Sequence, residues 1–410
     1  MINLHASLIG SNQRPEILDG MVFKRSFFIT LGIVSLLVLA FGAGYFFRDY
    51  RSSALERFTI FASAYEILQK NGLKEIPTDG PDIEYGMIRG MLEAYGDPYT
   101  IFVEPTRHEL DTNALQGSYG GIGVDLMQDS EGRWLLYPYP DSPAARAGVL
   151  EGDWLVAVDG TQILPETSAE ELQSAIRGPV GRRIRLTIAH LPDTSPVEIS
   201  IRREEIAIPS LTWRLDSDDP RVGIIDINLI AASTTKEIQD AVEDLQNRQA
   251  AYFVLDLRSN PGGLLTAGVD IARLFLKDGV IIQQQYRGRD VETFRVERPG
   301  PLSDIPLAVL IDGSSASAAE IIAGALQAHN RAILVGSPSF GKDTIQLVFN
   351  LPDDSSLHVT AAQWWIPNLE YSLSENGLQP DILVTPPSVD SSPGQDDVLQ
   401  AAVTALTQEN

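Results

Sequence analysis

Residues 307–327 read LAVLIDGSSASAAEIIAGALQ. The five apolar residues Leu307–Ile311, closed off by Asp312 and Gly313, are too few for a helix and describe a strand buried on both faces. A turn rich in Gly and Ser follows, and AAEIIAGALQ then resumes with helical spacing. An earlier unit repeats the form: strand Tyr252–Leu257 leads through RSNPGG into the helical TAGVDIARLFL, and Ala332–Val335 is a third buried strand ending at Gly336. Repeated strand-then-helix units build a largely parallel sheet with helices on its faces, so the fold class is α/β. Sites on such sheets lie beyond the carboxyl ends of the strands. Here those ends carry the two Gly- and Ser-rich loops and the loop leading to Lys342.

Before this core, residues 114–205 change texture to short β-rich runs with one helical stretch, SAEELQSAI, among them. Such a pattern suggests a small, partly open barrel inserted between flanks. Residues 48–113 read as a helical region, with Pro77 and Pro81 breaking the run, and residues 206–410 hold the core and a short amphipathic C-terminal helix. Ser26 to Phe47 is 22 residues without a charge. As a helix it would span ~33 Å, enough to cross a bilayer once. Lys24 and Arg25 precede it, which places residues 1–25 in the cytoplasm and the remainder outside. A cleavable signal peptide is the competing reading, against which stand the length of the run and the lack of a clean A-x-A site.

With 31 Lys and Arg against 55 Asp and Glu, the formal charge is −24. A phosphate backbone would be repelled, so nucleic acid is not an expected partner. The chain has no Cys and five His, none paired at metal-ligand spacing, and no metal or organic cofactor is implied. One motif misleads: Gly336 to Asp343, GSPSFGKD, nearly matches the phosphate-cradling G-x-x-x-x-G-K-[ST]. Asp343 stands where a hydroxyl is needed, and TIQLVFNL continues as a strand where a helix is required.

Without Cys, an acyl-transfer nucleophile falls to Ser or Thr. The loop Gly313–Glu320 places several hydroxyls at a strand-to-helix turn, where helix amino-terminal N–H groups favour an oxyanion. Ser317 is followed by small residues that let a substrate approach. His329 lies ~18 Å along the same helix and cannot be its base; His358 is not excluded by distance, although no Asp orients it. Lys342, between Phe340 and an apolar run, can act as base if burial lowers its pKa from ~10.4.

Seven pieces, in order, carry a resemblance: YGMIRGMLEAYGDPYT, YGGIGVDL, DSPAARAGVLEGDWLVAVDG, LDLRSNPGGLL, GSSASAAEIIAGAL, GSPSFGKDTIQ and NGLQPDILV. Over about residues 54–407 the chain resembles the carboxyl-terminal processing peptidases, or tail-specific proteases, of the S41 family. That resemblance implies a ClpP/crotonase-like core with an inserted PDZ domain, and a membrane-anchored serine endopeptidase that recognises protein C-termini. It implies Ser317 as nucleophile, Lys342 as general base and Gln346 as the residue steadying the amine. The backbone N–H groups of Ala318 and Gly262 become the oxyanion donors. A homodimer through the amino-terminal helices is also implied. Asp343 departs from the family's usual Gly, and a carboxylate there would raise the Lys342 pKa against its function as base. His358 and Asn368 depart as well, outside the catalytic set. Gln346 reaches Lys342 only if the backbone bends near Asp343, since four extended residues span ~13 Å.

The PDZ resemblance gives the 114–205 module a ligand. Backbone N–H groups of Gly121, Ile122, Gly123 and Val124 would hold a chain-terminal carboxylate, with the peptide added as a strand. Leu172 and Ile176 would line its side-chain pocket. Two readings of Arg177 stand level: pairing with an acidic group of the ligand or core, or a solvated cation. A catalytically silent PDZ scaffold on the same fold is the alternative function.

Overall fold

The computed structural model describes residues 59–77, 80–190, 195–367, 369, 373–384 and 396–408. The stretch Ser26–Phe47 lies outside the described residues, as does Asn368. Among the described residues no helix is long and apolar enough to cross a membrane. The chain divides into two units, residues 1–86 and 87–410. In the first, helix Thr59–Asn71 has no buried residue, and Ile60, Ile67 and Leu68 are exposed. Helix Asp82–Tyr95 begins there and continues into the second unit. Helical periodicity on either side of Pro77 and Pro81 thus corresponds to two real helices.

In the second unit a six-stranded sheet runs in the order Leu211–Leu215, Val222–Ile227, Tyr252–Asp256, Leu307–Ile311, Ile333–Gly336 and Ile382–Leu383. The first pair is antiparallel and every later pair parallel. Alternate residues of each strand face opposite sides, because successive side chains on a strand point oppositely. Ile225, Leu255 and Val309 pack with helices Thr234–Asn247, Leu265–Phe275 and Ala318–Ala328. Ile224, Val254 and Leu310 pack instead with Leu399, Ala402 and Leu406 of the terminal helix Asp397–Gln408. Coverage on both faces explains the unbroken apolar run Leu307–Ile311, in which all five residues are buried.

A second sheet joins Ile101–Val103, Ser356–Trp365, Val280–Tyr286 and Glu292–Arg295, with Thr344–Asn350 also paired to Ser356–Trp365. It carries Lys342 and Gln346 toward the parallel sheet, packing Trp364 and Ile366 into the same core as Ala318 and Ile322.

The inserted module has six strands and a core of its own, in which Ile122, Leu136, Leu155, Leu172, Ile184 and Leu186 are wholly buried. Helix Ala169–Ile176 starts at a capping box: Ser168 Oγ accepts the Glu171 N–H (3.2 Å) and the Glu171 carboxylate accepts the Ser168 N–H (2.9 Å). The module is joined to the core by a two-stranded antiparallel ribbon, Ser118–Gly121 against Glu204–Ala207.

Arg258 fastens the terminal helix to the sheet. It donates to Asp256 at 2.5–3.1 Å and to Asp396 at 2.8–2.9 Å, while Asp396 Oδ1 accepts the Leu399 N–H at 3.0 Å. Arg258→Met would leave the buried Asp256 carboxylate without its countercharge. We expect a loss of about 2 kcal/mol in urea unfolding, and faster amide exchange across Leu399–Leu406 than in the parallel strands.

Candidate active site

The two loops beyond strands Tyr252–Asp256 and Leu307–Ile311 are laced together before any catalytic side chain is considered. Asp312 Oδ1 accepts the N–H groups of Ser259 (3.0 Å), Ser314 (2.9 Å) and Ser315 (3.0 Å), and Ser315 Oγ donates to Leu257 O at 2.7 Å. Asn260 is wholly buried; its Nδ2 donates to Ile227 O at 2.6 Å and its carbonyl accepts the Ala316 N–H at 3.0 Å. These bonds fix where the chain turns into Ser317.

Ser317 has φ 54° and ψ −115°, a conformation that costs a non-glycine residue about 1–3 kcal/mol and persists only where its surroundings enforce it. It sits half-exposed between the buried Ala316 and Ala318, at the amino end of helix Ala318–Ala328. The Ala318 N–H, first in the helix, has no acceptor within the helix ladder and is available to a developing oxyanion. Gly262 packs beside it: a Cβ there would lie 2.7 Å from Ala316 O and 3.0 Å from Ala318 N, and its φ is +99°. The site needs glycine for both reasons. The Gly262 N–H, expected as the second oxyanion donor, instead donates to Asn260 Oδ1 at 2.8 Å. Sequence could place Gly262 at the site but not the direction of its N–H, which depends on how Asn260 folds back.

One side chain organises both catalytic loops. Glu320 is wholly buried, and its Oε2 accepts the N–H of Ser317 (2.8 Å) and of Lys342 (2.9 Å). Its Oε1 accepts Ser339 Oγ (2.5 Å) and the Gly341 N–H (2.6 Å). The backbones of Ser317 and Lys342 are therefore within about two hydrogen-bond lengths of each other. Burial pushes the Glu320 pKa up, and the four donated hydrogen bonds pull against that shift. Glu320 was not singled out from the sequence, although S-x-x-E from Ser317 is a capping-box spacing and a lone carboxylate in AAEIIAGAL is conspicuous.

Lys342 Nζ donates to Gln346 Oε1 at 2.8 Å, and Gln346 Nε2 donates to Tyr99 O. The chain bends through Gly341, φ +89°, before strand Thr344–Asn350 begins, and the strand's register shifts between Ile345 and Gln346. Among the described residues no hydrogen bond joins Ser317 Oγ to Lys342 Nζ; the amine lies 5.0 Å from the centroid of the Tyr99 ring. Burial holds the Lys342 pKa below the ordinary lysine range, while Asp97 and Glu320 oppose that shift. The backbone carbonyl of Asp343 accepts the Trp364 N–H at 2.9 Å.

The two histidines considered as bases, His329 and His358, have other hydrogen-bond partners. His329 caps the far end of the Ser317 helix and bonds Val280 O at 2.8 Å. His358 bonds Ser356 Oγ at 3.1 Å and its ring faces His108 at 6.2 Å.

In the inserted module a cleft of about 490 Å³ is lined by Ile122, Gly123, Val124, Gln173 and Ile176, with Ala207–Pro209 at its edge. Leu172 does not line it: wholly buried, it belongs to the module's core, and Gln173, the next residue around the helix, faces the cleft. Gly121 pairs with Glu204 in the ribbon. Arg177 also lines the cleft, its guanidinium stacking over the Tyr119 ring at 4.2 Å.

A peptide-sized cleft on one module, and on the other a strained serine and a half-buried lysine tied to one buried carboxylate, fit the class of PDZ-bearing serine hydrolases. The model of peptidase family S41 matches residues 221–384 and that of the PDZ domain residues 135–190. A carboxyl-terminal-processing protease of Picosynechococcus sp. is 33% identical over 397 residues, covering 92% of this chain and 95% of that protein. A carboxy-terminal-processing protease of Bartonella bacilliformis is 34% identical over 326 residues, covering 78% of this chain and 74% of that one. Among solved structures, the photosystem II D1 C-terminal processing protease is 28% identical, covering 77% of this chain and 86% of that chain with a TM-score of 0.43. The chain belongs to peptidase family S41 and is a carboxyl-terminal-processing serine peptidase with a PDZ domain.

Glu320→Gln keeps the shape of the side chain but turns an NH₂ toward N–H donors that need an acceptor. At least one buried donor is then orphaned, at about 1–3 kcal/mol. We expect kcat on a casein substrate to fall at least about tenfold and Tm to drop by several degrees.

Proposed function

We propose that this peptidase is anchored by Ser26–Phe47 as a single membrane pass, with its catalytic part outside the cytoplasm. It captures a protein's free C-terminus in the cleft lined by Ile122–Val124 and Ile176, and cuts the chain by a Ser-Lys mechanism. The observation that carries the mechanism is the shared acceptor Glu320 Oε2, which binds the backbones of Ser317 and Lys342 together. Neutral Lys342 takes the proton of Ser317 Oγ as that oxygen bonds to the scissile carbonyl carbon, and the Ala318 N–H stabilises the resulting oxyanion. Collapse breaks the C–N bond, and the Lys342 ammonium returns its proton to the leaving amine. Water, deprotonated in turn by Lys342, then releases the acyl group from Ser317 and restores the hydroxyl.

A resting form is the second reading, and two observations favour it. The Lys342 amine is turned to Gln346 and Tyr99, and the Gly262 N–H is held by Asn260. Closing the Ser317–Lys342 distance and freeing that N–H would complete the site, which fits weak basal cleavage that rises when a C-terminal peptide is added.

Ser317→Ala and Lys342→Ala should each abolish casein cleavage, and retained turnover in either would refute the mechanism. The base works only when unprotonated, so kcat/KM should climb with pH and level off above the Lys342 pKa. Because burial lowers that pKa, the climb should lie below the ordinary lysine range. For the anchor, the full chain should remain in the membrane fraction after a carbonate wash, and a chain starting at Arg51 should not; a soluble full chain would defeat that part of the reading.

A further inference from the structure

The turn Asp97-Pro98-Tyr99-Thr100 is far from Lys342 in sequence, yet three of its groups converge on that lysine and its partner. The Tyr99 carbonyl accepts from Gln346 Nε2, the residue whose other amide atom holds the Lys342 amine. The Tyr99 ring lies under that amine, 5.0 Å from centroid to Nζ. Asp97 carries a full charge that Lys342 senses and that senses Lys342 in return.

The turn is itself rigid. Asp97 Oδ1 accepts the Tyr99 N–H at 3.0 Å, its Oδ2 accepts Thr100 Oγ1 at 2.5 Å, and Thr100 Oγ1 in turn accepts the Thr360 N–H at 3.1 Å. This last bond pins the turn to strand Ser356–Trp365, which also pairs with the strand carrying Gln346. Its two anchor points, Gln346 and Thr360, are partners across the paired strands, so the turn is held at one place beside the lysine.

We propose that the Asp97–Thr100 turn is a positioning element for the general base: Tyr99 seats the Lys342 amine on its ring and orients Gln346 through its carbonyl, and Asp97 sets the charge that the amine faces. This rests on the Ser-Lys reading above. An aromatic face and a carboxylate both favour the charged amine, so both hold back its conversion to the base. The other charged or titratable groups around Lys342 are Glu320 from the serine helix, His358 from strand Ser356–Trp365 and the adjacent Asp343. Glu320 favours the charged form as Asp97 does, whereas the Lys342 ammonium disfavours protonation of His358. The turn therefore fixes the pH at which the enzyme becomes competent, as well as where the amine sits.

The test is the pH dependence of kcat/KM on a fluorescein-labelled casein, using the full chain and its Asp97→Asn, Tyr99→Leu and Tyr99→Phe variants. Asp97→Asn should move the acid limb about one pH unit lower, because a nearby opposite charge is removed. Tyr99→Leu should move it lower by about half a unit through loss of the ring. Tyr99→Phe keeps ring and carbonyl and should leave the limb in place. An unmoved limb in both Asp97→Asn and Tyr99→Leu, whatever their total activity, would overturn the proposal. Should Tyr99→Leu fail to fold, the near-isosteric Asp97→Asn decides alone. Lys342→Ala separates the two levels: full turnover in that variant sinks the Ser-Lys mechanism, whereas loss of turnover there with unmoved limbs elsewhere sinks only the role of the turn.

Discussion

Four hydrogen-bond donors converge on the wholly buried Glu320 carboxylate, and they come from two loops that the Phe340 N–H, donating to Ser315 O at 3.0 Å, also joins. A charge so far from water is tolerable only when its acceptor capacity is filled, and here three backbone N–H groups and the Ser339 hydroxyl fill it. The cost of leaving any of these donors unpaired is what keeps the serine loop and the lysine loop in register. Ser317 holds a strained backbone, Gly341 a left-handed one, and both are stabilised by the same side chain. For Ser317 that acceptor acts together with the bonds from Asp312, Ser315 and Asn260 that set the turn leading into it.

Around this point the molecule is arranged in shells of decreasing stiffness. The parallel sheet, covered on both faces, supplies the two strand ends from which the loops spring. Asp312 and Asn260 lace those loops to each other. Lys342 is held by longer side chains, Gln346 and Tyr99, whose positions come from the second sheet. Ser317 is thus fixed by backbone hydrogen bonds and the Lys342 amine by side-chain contacts. Of the two partners, the amine has the greater freedom to move toward the hydroxyl.

Much of this was readable beforehand, and what was not has identifiable causes. Leu307–Ile311 announced a doubly covered strand because all five of its side chains had to be apolar, and Ala318–Ala328 a helix because its apolar spacing is continuous. Ser317 and Lys342 could be picked out through their motifs, since chemistry restricts which residue types can serve. Glu320 was overlooked because helical periodicity sorts residues by face, and its purpose is set by loops that lie beyond the helix. The contact of Tyr99 with Gln346 spans 247 residues, a separation at which no local pattern carries information. Gln173 faces the cleft where Leu172 was expected because one step around a helix turns a side chain by about 100°, and sequence does not fix the zero of that angle.

The ribbon formed by Ser118–Gly121 and Glu204–Ala207 brings the entrance and exit of a domain-sized excursion to adjacent positions. For the rest of the chain, those intervening residues behave as a closed loop whose ends are already joined, so their length adds little entropic burden to assembling the sheet beyond. The peptidase core can thus tolerate exchange of one binding module for another of different size, provided the two ends remain paired, and selectivity for partners can drift while hydrolysis stays the same.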